Sequence, residues 1–230
     1  MKLSIIVPVF NEKNTIKEII EKIENVSLPI EKEIIVVDDG SSDGTEEILR
    51  QLKEKFNFIL IRHPKNQGKG AAIKTGFSFS AGDFILIQDA DLEYDPNDYP
   101  ILIKPLLENN VSVVYGSRNL LKNPRFSTKY YFGGRLLTFI FNLLFGTKLT
   151  DINTGYKVFR KDVFKSIRLR EDDFAFCEEV TCKITKKDYK IKEVPIHYLP
   201  RSFRDGKKIR WWRDGFRGLY VIIKYRFVNQ

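Results

Sequence analysis

The stretch EIIVVDDGSSDGTEEIL, residues 33–49, runs from four consecutive apolar residues into an acidic, glycine-bearing turn and then into a second apolar-periodic window. Ile34 through Val37 show no polar alternation, which suits a strand buried on both faces of a sheet. Ser and Asp ahead of Glu46 and Glu47 give a helix start in which side-chain oxygens cap the first turn. The same unit recurs on either side: LSIIVPVF (3–10) before a helical window at 12–25, the quoted strand before 43–55, FILIRH (58–63) before 70–80, and DFILIQD (83–89) before 97–108, with VSVVYGS closing the series at 111–117. Asn11 stands ahead of the first window, whose Ile16, Ile19, Ile20 and Ile23 share one helical face. Doubly apolar strands separated by amphipathic helices predict an α/β chain, Rossmann-like, with a mostly parallel central sheet flanked by helices.

Beyond Arg118 the alternation stops. A long aromatic helix candidate (130–145), a strand GYKVFR (155–160), a helix at 178–187, a strand KIKEVPIHYL (190–199) and a basic aromatic tail read as additions to the sheet.

Composition narrows the class. A chain of 230 residues with 43% hydrophobic content buries a sizeable core, and it shows no repeat, linker or low-complexity segment, so one domain over 1–230 is expected. Cys177 and Cys182 lack CxxC spacing and a second pair, which argues against a zinc site or a disulfide scaffold. The longest uncharged apolar stretch, 136–147, is too short to span a bilayer, and the N-terminal apolar run is too short for a signal segment, so a cytoplasmic location is expected. The net charge of +9 is uneven: from Arg201 onward nine Lys or Arg face only Asp205 and Asp214.

In open α/β sheets ligands bind outside the carboxyl ends of the strands. There the chain places Asn11 and Glu12, Asp38 and Asp39, residues 66–70, and the alternate acids Asp89, Asp91, Glu93 and Asp95. GKGAAI fails the dinucleotide fingerprint and the Walker pattern at Ile73, and Tyr94 and Pro100 break an EF-hand loop. What remains for the acids is a hard divalent cation, Mg²⁺ or Mn²⁺, held by one or two carboxylates with phosphate oxygens completing its shell. The competing reading is a solvated acidic loop, with Asp95 capping the helix after Pro96.

SIIVPVFNE, IIVVDDGSSDGT, NQGKGAAIKTG and ILIQDADLEYDP, in this order, resemble the GT-A glycosyltransferases of family 2, most of all the dolichol/polyprenyl-phosphate mannose and glucose synthase branch. YGSRN, LTDINTGYKVFR and YKIKEVPIHY are similar to that branch as well. The resemblance implies a nucleotide-sugar half at 1–118, an acceptor half at 119–200 and the tail at 201–230. It also implies site residues: Pro8, Asn11 and Glu12 in the first nucleotide-contacting loop, Asp39 accepting from the base N–H while Asp38 serves the loop, and Lys69 and Gly70 beside the nucleotide. Asp89 faces the ribose and donor sugar, Asp91 binds the metal with Glu93 as a second ligand where the branch often has Gln, and Arg118 lies near the acceptor phosphate. On the same resemblance, Asp151 and Gly155 fall in a loop similar to the one that borders the sugar.

A phosphate acceptor is already an anionic nucleophile, so it needs positioning cations rather than a base. RSFRDGKKIRWWRDG offers Arg201, Arg204, Lys207 and Lys208 for that task, although the spacing departs from the Arg-x-x-Gly-x-Ser-Lys of the branch. The expectation is an inverting, metal-dependent transfer of a hexose from a nucleoside diphosphate sugar, of the GDP-mannose or UDP-glucose type, to a polyprenyl phosphate. Trp211, Trp212, Phe216, Leu219, Tyr220, Ile223 and Phe227 at near-helical spacing add peripheral membrane contact to that expectation. Two alternatives stay open: transfer to a sugar hydroxyl with Glu178 or Glu179 as base, and a non-catalytic basic module. The second alternative is disfavoured as a nucleic-acid binder because the DADLE acids would repel a phosphate backbone.

Overall fold

The computed structural model describes residues 1–108, 111–125, 127–201, 208 and 211–228, with Trp211 described in its backbone only. Three strand–helix units come first: β1 (Lys2–Val9) and α1 (Ile16–Asn25), β2 (Glu31–Asp38) and α2 (Thr45–Lys53), β3 (Ile59–Arg62) and α3 (Lys69–Ser78). β4 (Phe84–Ile87), a single 3-10 turn (Pro96–Asp98), α4 (Tyr99–Leu107) and β5 (Val113–Ser117) complete the regular half. Then follow α5 (Thr128–Phe145), β6 (Lys157–Arg160), α6 (Lys161–Ser166), α7 (Phe176–Lys186), β7 (Ile191–Pro195) and α8 (Trp211–Phe227).

The strands form one sheet in the order β3-β2-β1-β4-β6-β5-β7. All pairings are parallel except those of β6, which runs antiparallel between β4 and β5. The Rossmann-like, mostly parallel sheet expected from the alternation is therefore present. The strand pattern did not reveal that β6 enters the middle of it. Val158 and Phe159 of β6 are fully buried, as are Val113 and Val114 beside them, so the insertion closes the core.

Helices cover both faces. Ile16, Ile19, Ile20 and Ile23 of α1 pack with Leu3, Ile5, Val7 and Leu102 on one side; Ile73 of α3 and Phe176, Val180 and Ile184 of α7 pack with Ile87, Tyr115 and Phe159 on the other. α3 lies so close to the sheet that a Cβ on Gly76 would stand 2.5 Å from Ile6 Cγ2.

Helix starts differ from the sequence windows for a physical reason. α1 begins at Ile16 rather than at residue 12, because Asn11 adopts φ 51° and its Oδ1 accepts the Ser42 N–H at 2.9 Å, tying two strand-end loops instead of capping. Asp43 Oδ1 accepts from the Thr45 N–H and hydroxyl at 3.1 and 2.5 Å, and Asp95 caps the 3-10 turn through the Asn97 N–H at 3.0 Å.

Where β4 ends, Gln88 is fully buried; its Oε1 accepts from the hydroxyls of Tyr99 and Tyr156, both at 2.7 Å, and its amide donates to Asp89 O at 2.8 Å. Leucine at this position strands two buried hydroxyls, each costing about 1–3 kcal/mol. Gln88→Leu is expected to lower Tm by roughly 5–10 °C in a thermal melt.

Candidate active site

The carboxyl ends of β1, β2 and β4 lie side by side, and the loops leaving them carry most of the expected site residues. β4 pairs with β1 only as far as Ile6, so Pro8 stands where β1 has a partner on one side, a place that tolerates a residue without an N–H. Asp38 accepts the Ser41 N–H at 3.0 Å and so serves the loop. Asp39 is buried; its Oδ1 meets His63 Nδ1 at 2.6 Å and the Gln67 N–H at 2.9 Å, and its Oδ2 takes the Gly68 N–H at 2.8 Å. Its carboxylate thereby fixes the approach to α3, whose first residue is Lys69. Gly70, one residue on, lies under the loop at 171–173; a Cβ there would come within 3.0 Å of the Asp172 carbonyl carbon.

Lys69 reaches back to the acid cluster, with Nζ 2.5 Å from Asp89 Oδ1. Burial opposes its charge, but the Asp89 carboxylate outweighs that and holds its pKa above the usual lysine value. Asp91 has the reverse problem: burial, then Asp89, then Glu93 push its carboxyl up to about 7. Glu93 is occupied elsewhere, accepting the Tyr198 hydroxyl at 2.8 Å and the Arg201 N–H at 2.9 Å, contacts that seat the chain at 198–201 beside the site.

Arg201 closes the cluster. Its guanidinium forks onto Glu12 at 2.9 and 2.8 Å and lies 3.4 Å from Asp91 Oδ2. Lys208 Nζ meets the Glu12 carboxylate at 2.5 Å and also donates to the carbonyls of Phe10 and Asn11. Burial raises the Glu12 pKa, and these two cations more than reverse it. Arg204 and Lys207, expected as phosphate cations, lie outside the described residues.

Arg118 forms a two-pronged pair with Asp151, 2.7 Å at each contact, and stacks 5.1 Å from the Tyr198 ring centre. Asn123 ties this corner together, donating to Arg118 O and Ile196 O and accepting the Tyr198 N–H, each at 3.0 Å. In the same loop as Asp151, Gly155 donates to the Tyr94 hydroxyl at 2.8 Å, and its missing Cβ leaves room for that ring, 2.9 Å from where the Cβ would stand.

Two buried groups were invisible as site elements in the sequence. Lys157, fully buried on β6, donates to Ile152 O at 2.8 Å over the Tyr115 ring, and burial drops its pKa to about 8. Glu171 gathers α8: Lys224 at 2.8 Å, the Tyr225 hydroxyl at 3.1 Å and Arg217, while Arg217 Nε also meets Asp173 at 3.1 Å. An acid-rich run at 171–173 carried no motif, so only tertiary contact identifies its role.

The two candidate bases part company. Glu179 is fully buried, paired with Lys183, and accepts the Arg170 and Glu171 N–H groups at 2.8 Å. Glu178 is bonded by the Asn153 amide and lies against Gly218 of α8; burial pushes its carboxyl up to about 7.

Among the described residues no three His, Cys, Asp or Glu side chains converge on a metal position. Mg²⁺ and Mn²⁺ do not need such a cluster, since they take one or two carboxylates and complete their shell with phosphate oxygens. Asp91, whose raised pKa records a local excess of negative charge, is the carboxylate that would serve first, and Glu93, the expected second ligand, is bonded to Tyr198 and Arg201.

Three comparisons bear on this geometry. The sequence profile of Glycosyl transferase family 2 matches residues 4–168. A dolichol-phosphate mannosyltransferase of Pyrococcus furiosus is 30% identical over 98% of this chain, and the chain spans 64% of that relative's length. A UDP-N-acetylglucosamine–dolichyl-phosphate N-acetylglucosaminyltransferase of Methanococcus voltae is 32% identical, with 95% of this chain and 94% of the relative covered. Among solved structures, glucosyl-3-phosphoglycerate synthase from Mycobacterium tuberculosis, in complex with Mn²⁺, UDP and phosphoglyceric acid, superimposes with a TM-score of 0.78 at 18% identity, covering all of this chain and 80% of that one. The same enzyme has been solved with Mg²⁺ and UDP. At that identity the likeness shows the fold, which is GT-A.

The buried state of Glu178 is testable without substrate. A carboxyl with a raised folded pKa favours the fold while protonated and loses that contribution as pH rises from the usual carboxylate range through about 7. Glu178→Gln stays neutral, so its Tm should gain on that of the parent between about pH 5 and about pH 8. A parent-to-variant difference that does not change with pH would contradict the burial of an ionisable group there.

Proposed function

The chain belongs to Glycosyl transferase family 2, and from that premise we propose that it transfers a hexose from a nucleoside diphosphate sugar to a polyprenyl, dolichyl-type phosphate. The observation that supports this most is the placement of Arg201 and Lys208 on Glu12, with Arg201 also 3.4 Å from Asp91 Oδ2. These are tail cations brought from the far end of the chain to the carboxyl edge of β1 and β4, where a diphosphate leaves and an acceptor phosphate must arrive.

The roles follow from the chemistry of each group. Asp39 and the loop of Pro8, Asn11 and Glu12 frame the nucleoside, the carboxylate of Asp39 keeping acceptor capacity for a base N–H beyond its three present contacts. Lys69 fixes the Asp89 carboxylate for the ribose and sugar. Asp91 would hold Mg²⁺ or Mn²⁺, with Glu93 as the expected second ligand, and the metal would supply charge neutralisation to the departing diphosphate. An acceptor phosphate is already deprotonated, so its oxygen attacks the anomeric carbon with no base; Arg118, Arg201 and Lys208 orient it through charge-assisted contacts. One displacement inverts the anomeric centre. On this reading the enzyme works at the cytoplasmic membrane face, in contact with the lipid that carries its acceptor.

A second reading has one observation in its favour. Glu178, held near 7 by burial, has the proton affinity of a general base for a sugar hydroxyl, whereas Glu179 is locked to Lys183.

Calorimetric titration with UDP-glucose and with GDP-mannose, each with Mn²⁺ and with chelator, should show metal-dependent binding of one donor. Asp91→Ala is expected to lower transfer to polyprenyl phosphate by at least about 100-fold, and undiminished turnover would remove it from the metal site. Glu178→Gln separates the acceptor readings: transfer to polyprenyl phosphate persists if the acceptor is the phosphate, and transfer to a glycan hydroxyl disappears if Glu178 is a base.

A further inference from the structure

Asp39, the acid expected to meet the base, is tethered at its backbone and at both carboxylate oxygens. Its N–H donates to Val9 O at 2.7 Å, and the His63 N–H donates to Asp38 O at 2.8 Å, so the ends of β1, β2 and β3 are tied together here. The turn that follows is equally tight: Gly40 has φ 72°, and a Cβ there would stand 2.6 Å from the carbonyl carbon of Lys65. Asp39 and His63 are both buried, at 2% and 6% exposure. A carboxylate fixed in this way cannot swing to suit its ligand.

What it can still accept is countable. A carboxylate offers about four lone-pair positions. Among the described residues, Oδ1 receives His63 Nδ1 and the Gln67 N–H, while Oδ2 receives the Gly68 N–H, which leaves one position, on Oδ2. His63 makes that count firm. The carboxylate has no hydrogen to give, so the ring hydrogen sits on Nδ1. Nε2 of the neutral ring then accepts from the Thr75 hydroxyl at 2.9 Å, and α3 thereby fixes the imidazole. Without that ring, Oδ1 regains a free lone pair. Nucleobases differ in what they ask of such a group. Uracil presents a single ring N–H between two carbonyls. Guanine presents a ring N–H beside an amine, and a carboxylate satisfies both only by using both of its oxygens. Adenine and cytosine turn an accepting ring nitrogen towards it, which sets lone pair against lone pair.

We propose that His63 and Thr75 are positioning residues that determine donor specificity: by filling Oδ1 of Asp39 they leave acceptor capacity for one base N–H, so the donor carries a 2,4-dioxopyrimidine base, as in a uridine diphosphate sugar, and not guanine. The inference rests on the reading of Asp39 as the residue that meets the base, and it names the base for that site. Neither His63 nor Thr75 is among the site residues expected from the sequence. Uracil and thymine share the edge in question, and dTDP differs from UDP by a ring methyl and a missing 2′-hydroxyl.

The test is calorimetric titration of the 230-residue chain with UDP, dTDP and GDP, each with Mn²⁺; diphosphate and metal are common to all three, so the differences report the nucleoside. UDP or dTDP should bind at least about tenfold more tightly than GDP, the factor expected when one guanine N–H is buried without a partner, and the ratio of the first two tells which nucleoside is used. His63→Leu should cut the preference over GDP at least about fivefold. Thr75→Val should cut it in the same direction by less, and it keeps the test open if His63→Leu does not fold. His63→Asn, whose amide can reach Asp39 from the place of Nδ1, should retain the preference. A merely structural role for these side chains would weaken all three nucleotides alike and leave the ratio untouched. GDP bound as tightly as UDP and dTDP, or a ratio that neither Thr75→Val nor His63→Leu moves, would overturn the proposal and leave the donor site standing. Binding of none of the three would overturn both the proposal and the donor reading of Asp39. Selective binding by a chain that fails to transfer to polyprenyl phosphate would sink the acceptor reading and uphold the base assignment.

Discussion

Negative charge concentrated at the carboxyl edge of β1, β2 and β4 is the constraint to which the rest of the site answers. Glu12, Asp38, Asp39, Asp89, Asp91 and Glu93 leave adjacent strands there, and a folded chain cannot hold so many carboxylates in partial burial without partners. Each is answered differently. Asp38 and Asp39 are absorbed by backbone N–H groups and His63, Asp89 by Lys69, Glu12 by Arg201 and Lys208. Asp91 is answered least, and its carboxyl is the one driven up to about 7. The place where compensation is incomplete is the place suited to a cation that arrives with a substrate.

The answering cations come from distant parts of the chain, and this couples the architecture to the site. Lys69 opens α3, Arg118 follows β5, and Arg201 and Lys208 lie between β7 and α8. Glu93 holds the Arg201 N–H and the Tyr198 hydroxyl, and Tyr198 packs beside Arg118, so the acid expected as a second metal ligand also seats the segment that carries Arg201. α8 is drawn in by the same logic: Glu171 takes Arg217, Lys224 and Tyr225, while Gly218 leaves space over Glu178. One face of α8 is thereby tied to the loop at 171–173 and to α7, and the other is apolar and exposed.

The sequence by itself determined the layered α/β fold, because period, glycine position and doubly apolar strands are local properties that survive into the structure. The isoleucine face of α1, the cap at Asp95 and the role of Asp38 in its loop were readable for the same reason. It also determined where the acids would gather, since strand ends in a parallel sheet share an edge. Only the tertiary structure decided that β6 would enter between β4 and β5, that Asn11 would bridge to Ser42 instead of capping α1, and that Glu12 would be met by Arg201 and Lys208. Those outcomes depend on which side chains come within 3 Å of one another after nearly two hundred intervening residues have folded, a distance that no local pattern encodes.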